Sequence, residues 1–127
     1  MFDGVSTNGT SNWLVQLGDS GGVEDTGYAS YSSAMGVSTV SGGANYIAGF
    51  GLSVASITAF VHGQCIISLL GGNVWTIGGI LARSDAAIGV PICGSKTLSG
   101  TLDRVRITTS GGINTFDAGS INILYEG

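Results

Sequence analysis

Three carboxylates, Asp19, Glu24 and Asp25, lie within seven residues of one another and could do chemistry as a group. A calcium ion needs six to eight oxygen ligands at close range, and this loop lacks the Asp-x-Asp-x-Asp-Gly spacing that supplies them. Glycoside hydrolysis needs two carboxyl groups that flank the scissile bond, and here Asp19 or Asp25 could pair with Asp85 or Asp117. Sequence alone does not bring such a pair into one cleft. For Asp19, Glu24 and Asp25 themselves, a solvated acidic turn is the favoured interpretation.

The segment Gly18–Gly22 has the sequence GDSGG, which surrounds the nucleophilic serine in chymotrypsin-like proteases. That chemistry needs a histidine base, a buried aspartate and an oxyanion hole. In those proteases the histidine and the aspartate precede the serine, whereas the sole histidine of this chain, His62, follows Ser20. The segment is therefore interpreted as a glycine-rich turn in which Asp19 and Ser20 cap their own backbone, and no enzymatic activity is expected.

Tyr28 and Tyr31 follow the acidic turn in a short polar strand, and we expect them to share one face of it. Sugar-binding surfaces combine flat aromatic rings with polar side chains, because sugars present both apolar faces and hydroxyl groups. The sequence thus gives one candidate patch for a glycan or a receptor, formed by Asp19, Glu24, Asp25, Tyr28 and Tyr31. Packing of the tyrosines in the core or against a neighbouring subunit is the alternative.

The remaining candidate ligands are isolated in the sequence. His62 lies alone in an apolar run, where a hydrogen-bonded structural role is expected. Cys65 and Cys93 lie in strand-like runs without paired metal-ligand spacing. We therefore expect two free, buried thiols, no metal site and no cofactor.

The distribution of charge restricts the partners of the chain. Charged residues make up 9% of the sequence, and none lies between Asp25 and Arg83. Either much of this stretch is core or a partner covers it. With 4 Lys and Arg residues and a net charge of −4, neither nucleic acid nor an anionic membrane surface is an expected partner. Glycine and polar residues interrupt the apolar window Tyr46–Leu70, so membrane insertion is not expected either.

The elements that must position these residues are strands. Short runs of Val, Ile, Thr and Tyr are separated by glycine-rich turns, and no long segment has helical apolar spacing. The predicted strands are Asn12–Leu17, Gly27–Ser33, Tyr46–Leu52, Ile57–Val61, Gln64–Leu70, Val74–Arg83, Leu102–Thr109 and Ser120–Glu126. About eight strands at this spacing predict one all-β domain over residues 1–127, a two-sheet antiparallel β-sandwich of jelly-roll type with little or no helix.

Several of these strands have specific expectations. Ser120–Glu126 has the clearest alternation of apolar and polar residues and is predicted to be the last strand. Gln64–Leu70 is apolar on both faces, which is typical of a buried central strand. Trp13 and Trp75 are predicted to lie in the core.

The two ends of the chain, FDGVSTNGTSNWLVQLGDSGG and TLDRVRITTSGGINTFDAGSINILYEG, resemble a domain that recurs in virion proteins of tailed bacteriophages. The resemblance covers about 48 residues and implies a non-enzymatic structural or attachment module in a tail fibre, tail tip or capsid decoration. It also implies a virion location after assembly in the host cytoplasm. A free carbohydrate-binding module is the alternative.

The same resemblance implies the partners of the domain. They are identical copies in a homo-oligomer, with a trimer favoured, other virion proteins and a host-surface glycan. The domain is expected to be the C-terminal part of a longer virion protein, with Met1 at its boundary. A first strand truncated at Met1 would leave a sheet edge unpaired.

Overall fold

Eleven β-strands and no helix make up residues 1–126, which are the residues described by the computed structural model of the protein. The strands are β1 (Phe2–Thr7), β2 (Trp13–Asp19), β3 (Gly22–Val23), β4 (Tyr28–Met35), β5 (Val40–Tyr46), β6 (Phe50–Leu52), β7 (Val61–Gly71), β8 (Val74–Arg83), β9 (Ile88–Thr97), β10 (Arg104–Thr109) and β11 (Phe116–Ile121). The predicted all-β class is confirmed, with more strands than the eight expected.

The strands form two antiparallel sheets. The larger sheet has seven strands in the order β11-β1-β7-β8-β9-β4-β5. In the smaller sheet, β10 pairs along β2, while β6 and β3 pair with opposite ends of β2. The two-sheet antiparallel sandwich is therefore confirmed. The jelly-roll connectivity is not confirmed, because β7, β8 and β9 follow one another as neighbours in the same sheet.

The hydrophobic core lies between the sheets. Every residue of β2 is buried. Trp13, Val15 and Leu17 face the core between the sheets, whereas Gln16, on the opposite face, is covered by its hydrogen bonds with Ala48 and Arg106. Trp13 on β2 is fully buried between Phe2 and Phe116, with ring centroids 6.3 and 5.1 Å away. Trp75 is partly buried and packs against the core, so the predicted core position is confirmed for Trp13 and only in part for Trp75.

Three predicted strands are wrong in whole or in part. Of the predicted strand Tyr46–Leu52, Tyr46 ends β5, residues 47–49 form a bend, and only Phe50–Leu52 is a strand, β6. The last strand is Phe116–Ile121 rather than Ser120–Glu126, and residues 122–126 are exposed and form no strand. The last backbone contacts with β1 join Asn122 to Met1, and the alternating residues after Asn122 make none of the described backbone hydrogen bonds. Of the predicted strand Ile57–Val61, only Val61 belongs to a strand, β7, while Ile57 and Thr58 form a turn across which Ala59 N–H donates to the carbonyl of Ser56.

The prediction for Gln64–Leu70 is wrong in its burial. This segment belongs to β7, which lies between β1 and β8 in the larger sheet. Its pairing with β1 ends at Gly63, and Ile66 and Leu70 are 62% and 76% exposed. The run of apolar residues therefore does not indicate a strand covered on both faces.

Candidate functional site

Asp19 and Glu24, two residues of the predicted binding patch, are brought together by Ser99. The hydroxyl of Ser99 lies 2.7 Å from Asp19 Oδ2 and 2.8 Å from Glu24 Oε1. The Ser99 amide also donates to Glu24 Oε1 at 2.7 Å. Asp19 is buried at the end of β2, and its Oδ1 accepts the N–H of Gly21 at 2.8 Å. Asp19 thus fixes the backbone of the turn at Gly21, and Glu24 fixes the backbone at Ser99.

Lys96 supplies the positive charge of this cluster. It is buried on β9, its ammonium pairs with Glu24 Oε2, and it donates to the carbonyl of Thr26 at 2.9 Å. The same ammonium lies 5.2 Å from the centroid of the Tyr28 ring. The ion-paired hydrogen bond from Lys96, reinforced by the Ser99 amide, lowers the pKa of Glu24 to about 2. Glu24 is therefore ionised at neutral pH and is not suited to act as a general acid.

Tyr28 is a buried structural residue. Its hydroxyl accepts the N–H of Leu17 at 2.7 Å and lies 3.3 and 3.0 Å from the carbonyls of Leu17 and Glu24. Its ring packs edge-on against Phe50 with centroids 5.0 Å apart. Burial raises the pKa of the phenol above its usual value. The hydroxyl therefore stays protonated and ties β4 to β2.

The prediction that Tyr28 and Tyr31 share a face is wrong. Side chains alternate between the two faces of a strand, so residues three positions apart point in opposite directions. Tyr28 points into the core, whereas Tyr31 is 43% exposed on the other side of β4. Asp25 is exposed as well and takes part in none of the hydrogen bonds of the acidic cluster. The predicted patch is thus divided. Asp19, Glu24 and Tyr28 belong to a hydrogen-bonded network, whereas Tyr31 lies on an open surface of the larger sheet.

The other candidate chemistries are not assembled among residues 1–126. No group of three or more His, Cys, Asp or Glu residues in this part of the chain could hold a metal ion. The carboxylates of Asp85 and Asp117 make separate contacts, with Arg83 and Thr58 in the first case and with Ser6 in the second.

His62 lies on β7 among partners that do not include Ser20. Its Nδ1 accepts the N–H of Gly4 at 3.1 Å and lies 3.2 Å from a carboxylate oxygen of Asp3. Its Nε2 lies 3.2 Å from the hydroxyl of Ser84. His62 is thus the hydrogen-bonded structural residue that was expected, and the GDSGG segment is the turn between β2 and β3.

The two thiols are free, as predicted, but neither is fully buried, since Cys65 is half-buried and Cys93 is exposed. Cys65 lies opposite Gly79 and Cys93 opposite Gly78, so their side chains are on opposite faces of the larger sheet. Burial raises the pKa of the Cys65 thiol, whereas Cys93 is exposed.

The open surface on which Tyr31 and Cys93 lie is here called the outer face. It comprises the side chains of β4, β5, β7, β8 and β9 that point away from the smaller sheet. The only charged residues in these five strands are Arg83 and Lys96, and the register places both on the inner side with Leu81 and Ile92. The large exposed apolar side chains of this face are those of Tyr31, Met35, Val40, Ile66, Leu70 and Ile80.

A shallow groove of about 460 Å³ crosses one end of the outer face. Tyr31 lies at its centre, because β4 pairs Tyr31 with Asn45 of β5 on one side and with Cys93 of β9 on the other. Ile47 lines it as well. Sequence reasoning missed Asn45 and Cys93, since only the strand register makes them neighbours of Tyr31.

Comparisons with protein-family models, with curated proteins and with solved structures give no match for this chain. Among residues 1–126, no helix is long and apolar enough to cross a membrane.

Proposed function

We propose that this chain is a non-enzymatic structural or attachment module of a tailed-phage virion, located in a tail fibre, tail tip or capsid decoration. It assembles as an oligomer, with a trimer favoured, and contacts other virion proteins. The proposal rests on one observation, the uncharged outer face of the larger sheet. The resemblance of the two chain ends to phage virion domains supports it independently.

The size of the outer face is suitable for contact with another subunit. Five strands about 4.8 Å apart and about seven residues long cover on the order of 500 Å² of flat surface. Standard protein interfaces bury roughly 800 Å² on each partner, and exposed apolar patches of several hundred Å² commonly mark interaction sites. An uncharged face also meets an identical copy without repulsion between like charges.

The state of the titratable groups agrees with a non-enzymatic role. The carboxylate of Glu24 is bound by Lys96 and Ser99, and that of Asp85 by Arg83 and Thr58. In both cases the hydrogen bond from the basic side chain is the largest factor that lowers the pKa of the carboxyl group. These groups stabilise turns and lack the raised pKa of a general acid.

Light scattering of the purified chain and of two lysine variants tests the oligomer. Ile80→Lys places a charge in the middle of the outer face, whereas Ile113→Lys makes the same change at an exposed residue of the β10–β11 loop. We expect an oligomer for the parent chain and for Ile113→Lys, and a lower mass for Ile80→Lys. A monomeric parent chain at high concentration would contradict the assembly.

Immunogold electron microscopy tests the location. An antibody raised against the domain is applied to intact tailed-phage particles purified from a lysate that contains the chain. Gold on the tail or the capsid is the expected result. Unlabelled particles, together with free chain in the particle-free supernatant, would overturn the virion assignment.

A second candidate function, glycan binding, is favoured by the groove around Tyr31. Tyr31 offers an exposed ring next to the Asn45 amide, a combination that suits a sugar ring with its hydroxyl groups. On a glycan array, saturable binding that is lost in Tyr31→Ala and retained in Tyr125→Ala would support it, because Tyr125 is 84% exposed in the C-terminal tail. Absence of binding to any glycan would count against it.

A further inference from the structure

The outer face has a depression at Gly78, in the middle of β8. Gly78 is exposed, and its register partners are Ile66 on β7 and Cys93 on β9, both residues of the outer face. No atom lies within 4 Å of the position that a Cβ would take at Gly78, and the backbone there is not left-handed. The space above this glycine is therefore open, with side chains on two sides and none at the centre.

A protruding side chain lies next to this depression. Ile80 is two residues further along β8 and therefore points to the same face, where it is 64% exposed. A Cβ at Gly89 would lie 3.9 Å from Cγ2 of Ile80, so the Ile80 side chain contacts the sheet on the side away from Gly78. The outer face thus has a knob, Ile80, and a hole, Gly78, about 7 Å apart on one strand.

A knob and a hole on the same strand are complementary to themselves under two-fold symmetry. When two outer faces meet about a two-fold axis that lies between them and crosses β8 at Gly79, residue 80 of each copy lies opposite residue 78 of the other. Both positions are about 3.4 Å from the axis along the strand, so the angle between two packed sheets shifts them little. Each Ile80 side chain then fills the space above Gly78 of the second copy, and the contact forms twice.

The same axis brings large side chains opposite small ones on β4. β9 carries the register of β8 across to β4, so the residues of β4 are paired about the axis in the same way. Tyr31, which is 43% exposed, then lies opposite the buried Ser33 of the second copy. Met35, which is 38% exposed, lies opposite Ala29 of the second copy. On both strands a projecting residue of one copy therefore meets a small residue of the other.

We propose that the outer face binds the outer face of a second copy of this chain, with the two β8 strands antiparallel and each Ile80 over the Gly78 of the other copy. This inference rests on the outer-face contact of the proposed function and gives that contact a partner, a symmetry and a register. A second copy is favoured over a charged partner, because neither face carries a charged side chain that needs a counter-charge. The match of knob to hole on one face favours an identical partner over an unrelated one.

The area of the contact is that of a reversible dimer. The outer face covers on the order of 500 Å² on each copy, so two faces bury about 1,000 Å² in total. Specific interfaces begin near this size, and weak ones lie below about 1,200 Å². A two-fold contact joins copies in pairs and does not close a trimer, so a three-fold contact would use another surface, and the two together would give six copies.

An exchange of knob and hole tests the register by sedimentation equilibrium. Gly78→Ile fills the hole and is expected to fold, because a Cβ at this position meets no atom of its own chain within 4 Å. Ile80→Gly removes the knob. Each single variant is expected to weaken dimerisation roughly tenfold, since both symmetry-related contacts are lost at once. In the double variant the new isoleucine of each copy faces the new glycine of the other, and the affinity should return to within about threefold of that of the parent chain.

Controls for the same two changes lie away from the outer face. Ile113→Gly and Gly111→Ile, both in the exposed β10–β11 loop, should leave the dissociation constant of the dimer unchanged. Circular dichroism checks that each variant is folded. Single variants that dimerise like the parent chain, or a double variant that dimerises no better than the single variants, would overturn the proposal.

A pair of opposite charges tests the register without a change at Ile80. The axis places Thr76 of each copy opposite Ala82 of the other, since both lie three residues from Gly79. Thr76→Lys alone and Ala82→Glu alone each leave a charge without a counter-charge in the contact and should weaken the dimer several-fold. The double variant pairs the charges twice and should bind more tightly than either single variant.

The matched control for this charge pair is Thr76→Lys combined with Ser20→Glu. It has the same net charge as the double variant but places the carboxylate in the exposed β2–β3 turn, so its dimer should remain weak. Equal affinities of the two double variants would also count against the register.

These results are separable from the proposed function. If Ile80→Lys lowers the mass of the oligomer but neither exchange recovers dimerisation, the outer face is a subunit contact in a different register and this proposal fails alone. Immunogold labelling decides the virion location, whatever the register of the contact is.

Discussion

The buried ammonium of Lys96 pairs with the carboxylate of Glu24, and this ion pair ties β9 to the segment that follows β3. Lys96 also donates to the carbonyl of Thr26, while Glu24 accepts the amide of Ser99. One charged pair therefore determines the course of two irregular segments. Its loss is expected to lower the stability of the fold.

Glu24→Gln tests the ion pair. The variant keeps a carbonyl oxygen for the Ser99 amide but leaves the buried Lys96 ammonium without its carboxylate. We expect a loss of about 2 to 3 kcal/mol in the free energy of unfolding at pH 7, measured by urea denaturation. Asp25→Asn makes the same change in net charge at an exposed neighbouring residue and is expected to have almost no effect.

The same pair predicts acid sensitivity. The pKa of Glu24 is about 2 in the folded chain and about 4.5 in the unfolded chain, so the unfolded state takes up the proton first as pH falls. The stabilisation is complete above pH 4.5 and is lost between about 4.5 and 2. Stability curves over this range should be less steep for Glu24→Gln than for the parent chain. Identical slopes would contradict this role of Glu24.

Tyr28→Phe tests the role of the buried hydroxyl. The change removes the acceptor of the Leu17 N–H and leaves that group buried without a partner. We expect a loss of about 1 to 3 kcal/mol in unfolding free energy. Tyr31→Phe removes the hydroxyl from an exposed ring of the same strand and should cost little. A similar loss in both variants would contradict the structural assignment of Tyr28.

Ser32→Ala tests a contact between the sheets. The buried hydroxyl of Ser32 on β4 accepts the N–H of Ser53 at 3.0 Å, as Ser30 does for Gly51 at 3.1 Å. These serines satisfy backbone groups beside the short strand β6. Removal of the Ser32 hydroxyl is expected to cost about 1 to 3 kcal/mol in thermal or chemical unfolding, compared with no change for the exposed Ser38→Ala.

Gly119→Ala and Gly112→Ala form a matched pair. Both residues have a left-handed backbone, with φ of 82° and 65°. A Cβ at Gly119 would overlap the carbonyl of Gly4 on β1, whereas a Cβ at Gly112 meets no atom within 4 Å. We expect Gly112→Ala to cost about 1 kcal/mol from backbone strain alone, and Gly119→Ala to cost clearly more, because the β1–β11 pairing must shift. Equal costs would exclude the steric contact.

Some features of the fold could be predicted from local patterns. Trp13 begins an apolar run in the predicted strand Asn12–Leu17, and its burial follows from that run. The GDSGG turn was predictable as well, because Asp19 Oδ1 accepts the N–H of Gly21 only two residues away, whereas the contact of Asp19 Oδ2 with Ser99 was not. The candidate site was less predictable, since Tyr28 and Tyr31 were expected on one face although their spacing of three separates them.

The sequence by itself determined the all-β class, the glycine-rich turns and the uncharged stretch between Asp25 and Arg83, because these depend on the period and type of neighbouring residues. Only the tertiary structure decided that Lys96 meets Glu24 and that Tyr31 lies between Asn45 and Cys93. Those relationships depend on strand register and on which strands become neighbours in a sheet. Neither is encoded in the alternation of a single strand.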